Sequence, residues 1–103
     1  MSILLNFAMF PTDKGDSVSE YVSEVIRYID RSGAPYKMNP MGTTIETETM
    51  EEALKIVQGA YDILEPVSER IYSAITIDAR KGKSNRMAGK IASIENKIGD
   101  VSK

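Results

Sequence analysis

The sequence predicts an α+β domain in which four strands form one antiparallel sheet. Three observations predict this class. Four segments have the pattern of strands, because their side chains alternate between apolar and polar or are apolar on both faces. Three other segments carry apolar residues at helical intervals. The two kinds of segment follow each other in the order β-α-β-β-α-β-α. A chain of 103 residues suits one hydrophobic core and not two, so residues 1–103 are interpreted as a single domain.

The first strand and the first helix are the clearest elements. Residues Ile3–Phe10 have two largely apolar faces, which indicates that something covers each of them. After loop signals at residues 11–16, Ser17 and Glu20 have the spacing of a capping box, and Gly33 is suited to a left-handed helix end. The apolar stripe of this helix comprises Val18, Tyr21, Val22, Val25, Ile26 and Ile29.

Residues 36–46 form two short extended runs that are separated by Pro40-Met41-Gly42. Proline lacks an amide donor and glycine tolerates positive φ, so the three residues indicate a turn between paired strands. The second run alternates, with Thr43, Ile45 and Thr47 on one face and Thr44, Glu46 and Glu48 on the other. The second of these faces is polar, and it is therefore a candidate binding surface.

The second helix begins at Thr49 and Glu52, which repeat the capping-box spacing, and it ends near Pro66. Its predicted stripe is Ala53, Leu54, Val57, Ala60, Tyr61 and Leu64. Residues 70–80 then alternate as a strand, with Ile71, Ile75 and Ile77 on the face expected under the helices and Tyr72, Ala74, Thr76, Asp78 and Arg80 on the other. A last amphipathic helix over residues 86–98 aligns Met87, Ile91, Ile94 and Ile98.

This order is the ferredoxin-like arrangement, a four-stranded antiparallel sheet with two helices on one face, followed here by a C-terminal helix. Two helices cover one sheet face only. The other face still carries Leu4, Ala8, Phe10, Tyr72 and Ala74, and that apolar surface predicts self-association through sheet faces or edges. The terminal helix is a second candidate for subunit contacts.

Composition excludes several classes of protein. The formal net charge of −2 argues against a nucleic-acid module, and the chain has neither cysteine nor histidine. Thiol nucleophiles, thiolate metal sites and the commonest general base are therefore excluded, and neither a metal site nor a catalytic cofactor is expected. The apolar N-terminal run is too short to span a bilayer and follows no cationic segment, so we expect a cytoplasmic protein without a membrane partner.

Four motifs resemble the thiamine-binding protein family, a group of small ferredoxin-like proteins. They are Ser17-x-Ser19-x-Tyr21-Val22, Met41-Gly42-Thr43-Thr44-Ile45-Glu46, Ile77-Asp78-x-Arg80 and Lys90-Ile91-x-Ser93-Ile94, in the order and spacing of the family. The Gly-Thr-x-Ile-Glu segment is the most specific of them. The resemblance implies a non-catalytic protein that binds thiamine (vitamin B1) or its pyrimidine moiety and assembles as a homotetramer, a dimer of dimers.

The resemblance also directs attention to polar residues of the central strands. A thiamine site needs a carboxylate near the cation or a ring nitrogen, hydroxyl or amide partners for the amine, and a flat wall. Glu46 and Asp78 could supply the carboxylates. Thr44, Thr76 and Asn39 could supply the neutral partners, and Tyr36 could supply the flat wall. The remaining candidates are Thr43 and Arg80. Under this interpretation Glu46→Gln weakens binding and leaves the melting temperature nearly unchanged.

Two alternatives remain open at this point. The polar residues could be the ordinary solvated side of a strand, in which case the protein is an oligomeric regulatory or interaction module without a small-molecule ligand. An enzyme that uses Glu46 and Asp78 as an acid–base pair would lack an accompanying nucleophile, metal cluster or phosphate loop. Whether a bound vitamin is carried, buffered or sensed does not follow from the residues.

Overall fold

The structure, a computed structural model, describes residues 1–16 and 18–102. Its elements are β1 (Ser2–Pro11), α1 (Ser19–Ser32), β2 (Tyr36–Asn39), β3 (Gly42–Thr47), α2 (Met50–Leu64), a 3₁₀ turn (Glu65–Val67), β4 (Ile71–Arg80) and α3 (Arg86–Ile98). All strand pairs are antiparallel and the strand order is β2-β3-β1-β4. The predicted ferredoxin-like fold is confirmed.

The core lies between one sheet face and the two helices α1 and α2. Both helices pack against β1, and α2 also packs against β3, so the two central strands supply the sheet side of the core. Its buried apolar side chains are Ile3, Leu5, Phe7, Met9, Val25, Ile29, Ile45, Ala53, Ile56, Ala60 and Leu64. Two predicted stripe residues of α2, Leu54 and Tyr61, are exposed instead. The stripe runs through Ile56, which the spacing 53-56-60-64 brings to the sheet.

The helix ends follow the expected chemistry where they are described. Gly33 ends α1 in the left-handed region with φ 82°. The Thr49 side chain accepts a hydrogen bond from the Glu52 amide at 3.1 Å and caps α2. The predicted cap at Ser17 lies outside the described residues. Gly59 leaves room for the Tyr28 ring of α1 against α2, because a Cβ atom there would lie 2.0 Å from the Tyr28 hydroxyl oxygen.

Strand β4 is wrongly predicted in one respect, the burial of Ile75 and Ile77. Both lie on the helix side of the sheet, opposite the core residues Phe7 and Leu5 of β1, yet each remains 42% exposed. The strand order explains the difference, since β4 is an edge strand and the helices sit over β1 and β3.

Helix α3 begins over the sheet face that α1 and α2 leave open, and then extends past it. Met87 and Ile91 of its predicted stripe are half-buried, whereas Ile94 and Ile98 are exposed, Ile98 to 72%. The helix therefore covers only the part of the open face near the start of β1. Across residues 1–16 and 18–102, no helix is both long and apolar enough to cross a membrane.

Candidate functional site

The open sheet face carries two rows of side chains that run across the strands. The strand registers place Lys37, Thr44, Asn6 and Thr76 opposite one another, and the adjacent row contains Glu46, Leu4 and Asp78. Directly paired residues share a face, so Glu46 and Asp78 lie on the same side of the sheet with β1 between them. Their Cα atoms are two strand spacings apart, or about 10 Å.

Helix α3 lies over these two rows of side chains, and a cavity of about 440 Å³ separates it from the sheet. The sheet contributes polar side chains together with Leu4 and Ile77, and Met87 and Ile91 of α3 add further apolar surface above them. The lining consists of Leu4, Asn6, Lys37, Thr44, Thr76, Ile77, Asp78, Met87, Lys90 and Ile91. On the floor, the Thr44 hydroxyl donates to Asn6 Oδ1 at 2.9 Å, which orients the Asn6 amide.

Glu46 lies beside this cavity and is held by the start of α3. The residue is 8% exposed, and its carboxylate accepts three hydrogen bonds, from Ser2 Oγ at 2.6 Å, from the Arg86 amide at 2.9 Å and from the Met87 amide at 3.1 Å. Asn85, the residue before α3, makes no capping bond with its side chain. Glu46 therefore caps α3 from a distant strand and places a negative charge at the positive helix end.

Arg86 joins the two carboxylates of the open face. Its guanidinium is 6% exposed, with Nε 3.0 Å from Ser2 Oγ and Nη2 2.8 Å from the Ser2 carbonyl oxygen. Nη1 lies 3.0 Å from Asp78 Oδ2, and Nη2 also donates to the Asp78 carbonyl oxygen. Lys90 approaches the same Oδ2 atom at 3.4 Å. Ser2, Glu46, Arg86 and Asp78 form one connected network, which we call the α3 anchor.

These contacts set the charge state of both acids. Burial alone would raise the pKa of Glu46, but the hydrogen bonds from Ser2 and the Arg86 and Met87 amides, with the Arg86 charge, outweigh it and lower this pKa below 4.5. The hydrogen bonds from Arg86 and then Lys90 lower the pKa of Asp78 below its ordinary value of 3.8. Both groups are carboxylates at neutral pH.

The lowered pKa of Glu46 predicts a loss of stability in acid. A carboxyl group that is more acidic in the folded state stabilises that state above the ordinary pKa, here 4.5, and the contribution disappears as the pH falls through the lower, folded-state pKa. We expect the free energy of unfolding to decrease between about pH 5 and pH 3, and to decrease less in Glu46→Gln. Urea titrations over this range measure both slopes, and identical slopes in the two proteins would contradict the assignment.

The structure brings together three of the predicted site residues. Thr44, Thr76 and Asp78 all line the cavity under α3. Glu46 shares their sheet face but lines a different cavity, of about 570 Å³, at the end of the sheet. Its burial and its three hydrogen bonds also change the expected effect of Glu46→Gln, since removing the charge affects the α3 anchor as well as any ligand.

The other predicted residues lie elsewhere. Thr43 is buried on the core face of β3, and Tyr36 shares that face on β2, where its hydroxyl donates to Asp30 at 2.8 Å. Asn39 organises the β2–β3 turn by accepting a hydrogen bond from the Met41 amide at 2.8 Å. Arg80 is exposed at the end of β4, opposite Ser2. None of these four lines the cavity under α3.

Sequence reasoning missed several residues of the site. Asn6 is the only polar residue between Ile3 and Phe10, and that isolation was a usable signal for a functional position. Lys37, Lys90, Met87 and Ile91 also line the cavity, but periodicity does not predict which sheet face a C-terminal helix covers. Ser2 and Arg86 gave no comparable signal, because their contact spans 84 positions of the chain.

Comparisons with known proteins agree with this architecture. The sequence model described as "Thiamine-binding protein" matches residues 5–95. A UPF0045 protein of Mycobacterium bovis is 35% identical over 95 residues, which covers 92% of this chain and 93% of that protein. A UPF0045 protein of Methanothermobacter thermautotrophicus is 29% identical over 83 residues, or 80% of this chain and 84% of that one.

Two solved structures share the fold. A hypothetical protein of Methanocaldococcus jannaschii has a TM-score of 0.81 and 30% sequence identity, covering 90% of this chain and 95% of that one. A Thermotoga maritima protein, for which a role in thiamine biosynthesis or salvage is suggested, has a TM-score of 0.79 and 22% identity, covering 91% and 99%. At this identity, the similarity to the Thermotoga maritima protein shows a shared fold and nothing more.

Proposed function

The chain belongs to the thiamine-binding protein family, and from this premise we propose that it binds thiamine or its pyrimidine moiety in the cavity under α3. The observation that supports the proposal most is the convergence of Thr44, Thr76 and Asp78 on that one cavity. They come from two strands, β3 and β4, which β1 separates in the sheet. The protein acts as a carrier, buffer or sensor, with thiamine as its ligand and not as a catalytic cofactor.

The lining of the cavity has the groups that an aminopyrimidine requires. Among residues 1–16 and 18–102, Asp78 receives its side-chain contacts at Oδ2, so Oδ1 is available to accept a hydrogen bond from the ligand amine. Thr76 and Asn6 supply neutral donors and acceptors on the floor. Met87 and Ile91 supply apolar surface against which a ring can lie.

Non-catalytic binding fits the state of the two acids better than acid–base chemistry does. A general acid or base works best when its pKa lies near the operating pH. The contacts of Glu46 and Asp78 move both pKa values further away from neutrality. Within the described ranges 1–16 and 18–102, no cluster of three or more acidic side chains could hold a metal ion.

Isothermal titration calorimetry with thiamine, thiamine monophosphate and free hydroxymethylpyrimidine tests the proposal. We expect heat of binding from at least one of the three, and a loss of affinity of about tenfold or more in Asp78→Asn, because a hydrogen bond to a charged acceptor is replaced by a weaker one. Asp16→Asn, in the β1–α1 loop, is the matched control and should bind as the wild type does. No heat from any of the three with folded protein would overturn the proposal.

A second candidate function rests on the exposed edge of the sheet. Tyr72, Ile75 and Ile77 of β4 are exposed large apolar side chains on a strand with one unpaired edge, as expected of a subunit contact. Under this alternative the protein is an oligomeric interaction module. A folded oligomer in sedimentation velocity that binds none of the three compounds would favour it, whereas a homotetramer that binds thiamine would support the first proposal.

A further inference from the structure

We propose that the ligand of the cavity carries a phosphate group and that Lys37 binds it, so that the preferred ligand is a phosphate ester of thiamine. This inference rests on the proposed function and narrows its ligand class. It is carried by the distribution of charge along the cavity floor.

The two ends of the cavity floor carry opposite charges. The row Lys37, Thr44, Asn6 and Thr76 crosses all four strands, and the Cα atoms at its two ends are three strand spacings apart, or about 14 Å. Lys37 stands at the β2 end. Asp78 stands two residues from Thr76 on β4, at the opposite end, and the residues between are neutral. An elongated ligand with an anionic group at one end and an amine at the other matches this arrangement.

The balance of charge favours the same ligand. Two cations, Lys37 and Lys90, and one carboxylate, Asp78, line the cavity, so one positive charge is left over. Arg86 and Lys90 both lie within 4 Å of Asp78. Lys37 makes no ion pair within residues 1–16 and 18–102, and it is an exposed residue of the cavity lining. Thiamine alone would add another positive charge, whereas a phosphate ester balances the excess.

The chemistry of lysine suits this role. A lysine ammonium is a compact point charge with three donors, and it binds phosphate oxygens through charge-assisted hydrogen bonds. With the phosphate at Lys37, the aminopyrimidine lies over Asn6 and Thr76, and its amine reaches Asp78 Oδ1. The apolar side chains of α3 then cover the ring system.

Calorimetry with thiamine and thiamine monophosphate on wild-type protein, Lys37→Met and Lys37→Arg tests the inference. We expect the wild type to bind the monophosphate about tenfold more tightly than thiamine, Lys37→Met to lose this preference, and Lys37→Arg to keep most of it. Lys55→Met, which removes the same charge from α2 on the opposite side of the sheet, is the control. Circular dichroism confirms that each variant is folded.

The outcomes separate this inference from the proposed function. Equal affinity of the wild type for the two compounds overturns the phosphate preference and leaves thiamine binding in place. If Lys37→Met still prefers the monophosphate over thiamine, the role of Lys37 is overturned. The role of Lys37 is also overturned if Lys55→Met loses this preference to the same extent as Lys37→Met. Binding of neither compound overturns this inference, and it overturns the proposed function as well when free hydroxymethylpyrimidine also gives no heat of binding.

Discussion

Replacing Glu46 by alanine is expected to lower the free energy of unfolding by about 3 kcal/mol, although the sequence alone suggests a surface residue. The substitution removes three hydrogen bonds to a charged acceptor, each worth roughly 1.5–3 kcal/mol in isolation and less in combination. It also leaves the buried guanidinium of Arg86 with less compensating negative charge. For a domain of this size, the melting temperature should fall by roughly 12–24 °C.

Glu48→Ala is the matched control for this experiment. Glu48 lies two residues further along the chain, just past the end of β3, and it is exposed, so the substitution should change stability by less than about 0.5 kcal/mol. Urea unfolding of the two variants measures the difference. Equal stabilities would mean that Glu46 does not hold α3.

The same pair of variants separates anchoring from ligand contact. If Glu46 acts by holding α3 over the cavity, Glu46→Ala weakens binding and also raises the hydrogen exchange rate of the first-turn amides of α3. A variant that loses affinity with unchanged exchange and unchanged stability would instead place Glu46 in direct contact with the ligand, as the sequence first suggested.

Most of the fold could be predicted because each element carries its own local pattern. The two apolar faces of β1, the stripe of α1 and the cap at Thr49 are properties of short segments, and the structure reproduces them. Burial of β4 could not be predicted in the same way. Ile75 and Ile77 have the pattern of core residues, and their exposure follows from the position of β4 at the edge of the sheet, which no local pattern encodes.

The candidate site was predictable only in part, for a related reason. Alternation places Thr44, Glu46, Thr76 and Asp78 on one sheet face, and the strand registers agree. The same reasoning does not indicate that α3 returns over this face, that Glu46 is used to cap it, or that Arg86 connects Ser2 to Asp78. These contacts join residues that are 8 to 84 positions apart, and they depend on where the last helix packs.

The family resemblance and the residue patterns therefore contribute different information. The resemblance selects the ligand class, which spacing alone does not. The structure then assigns different parts to residues that the resemblance treats alike, since Asp78 opens into the cavity under α3 while Glu46 is occupied at its edge. An assignment from the motifs alone would give Asp78 and Glu46 the same role, that of a ligand-binding carboxylate.

Arg86→Lys tests whether the α3 anchor depends on geometry or only on charge, and we expect a loss of about 2 kcal/mol. The guanidinium contacts Ser2 Oγ, the Ser2 carbonyl oxygen and the Asp78 carboxylate at once, and a lysine ammonium on a flexible stem cannot hold all three positions. Arg80→Lys is the control, because Arg80 is exposed on the same sheet face.

A second readout comes from the carboxyl group that Arg86 contacts. Arg86 is the main cause of the lowered pKa of Asp78, so the pKa of Asp78 should rise toward 3.8 in Arg86→Lys and stay unchanged in Arg80→Lys, as followed by NMR titration. The stability losses of Glu46→Ala and Arg86→Lys should also be less than additive, by about 1 kcal/mol, since both residues act on the first turn of α3. If the two stability losses were strictly additive and the pKa of Asp78 did not change, Glu46 and Asp78 would act independently of each other. The position of α3 over the cavity would then not depend on one shared α3 anchor.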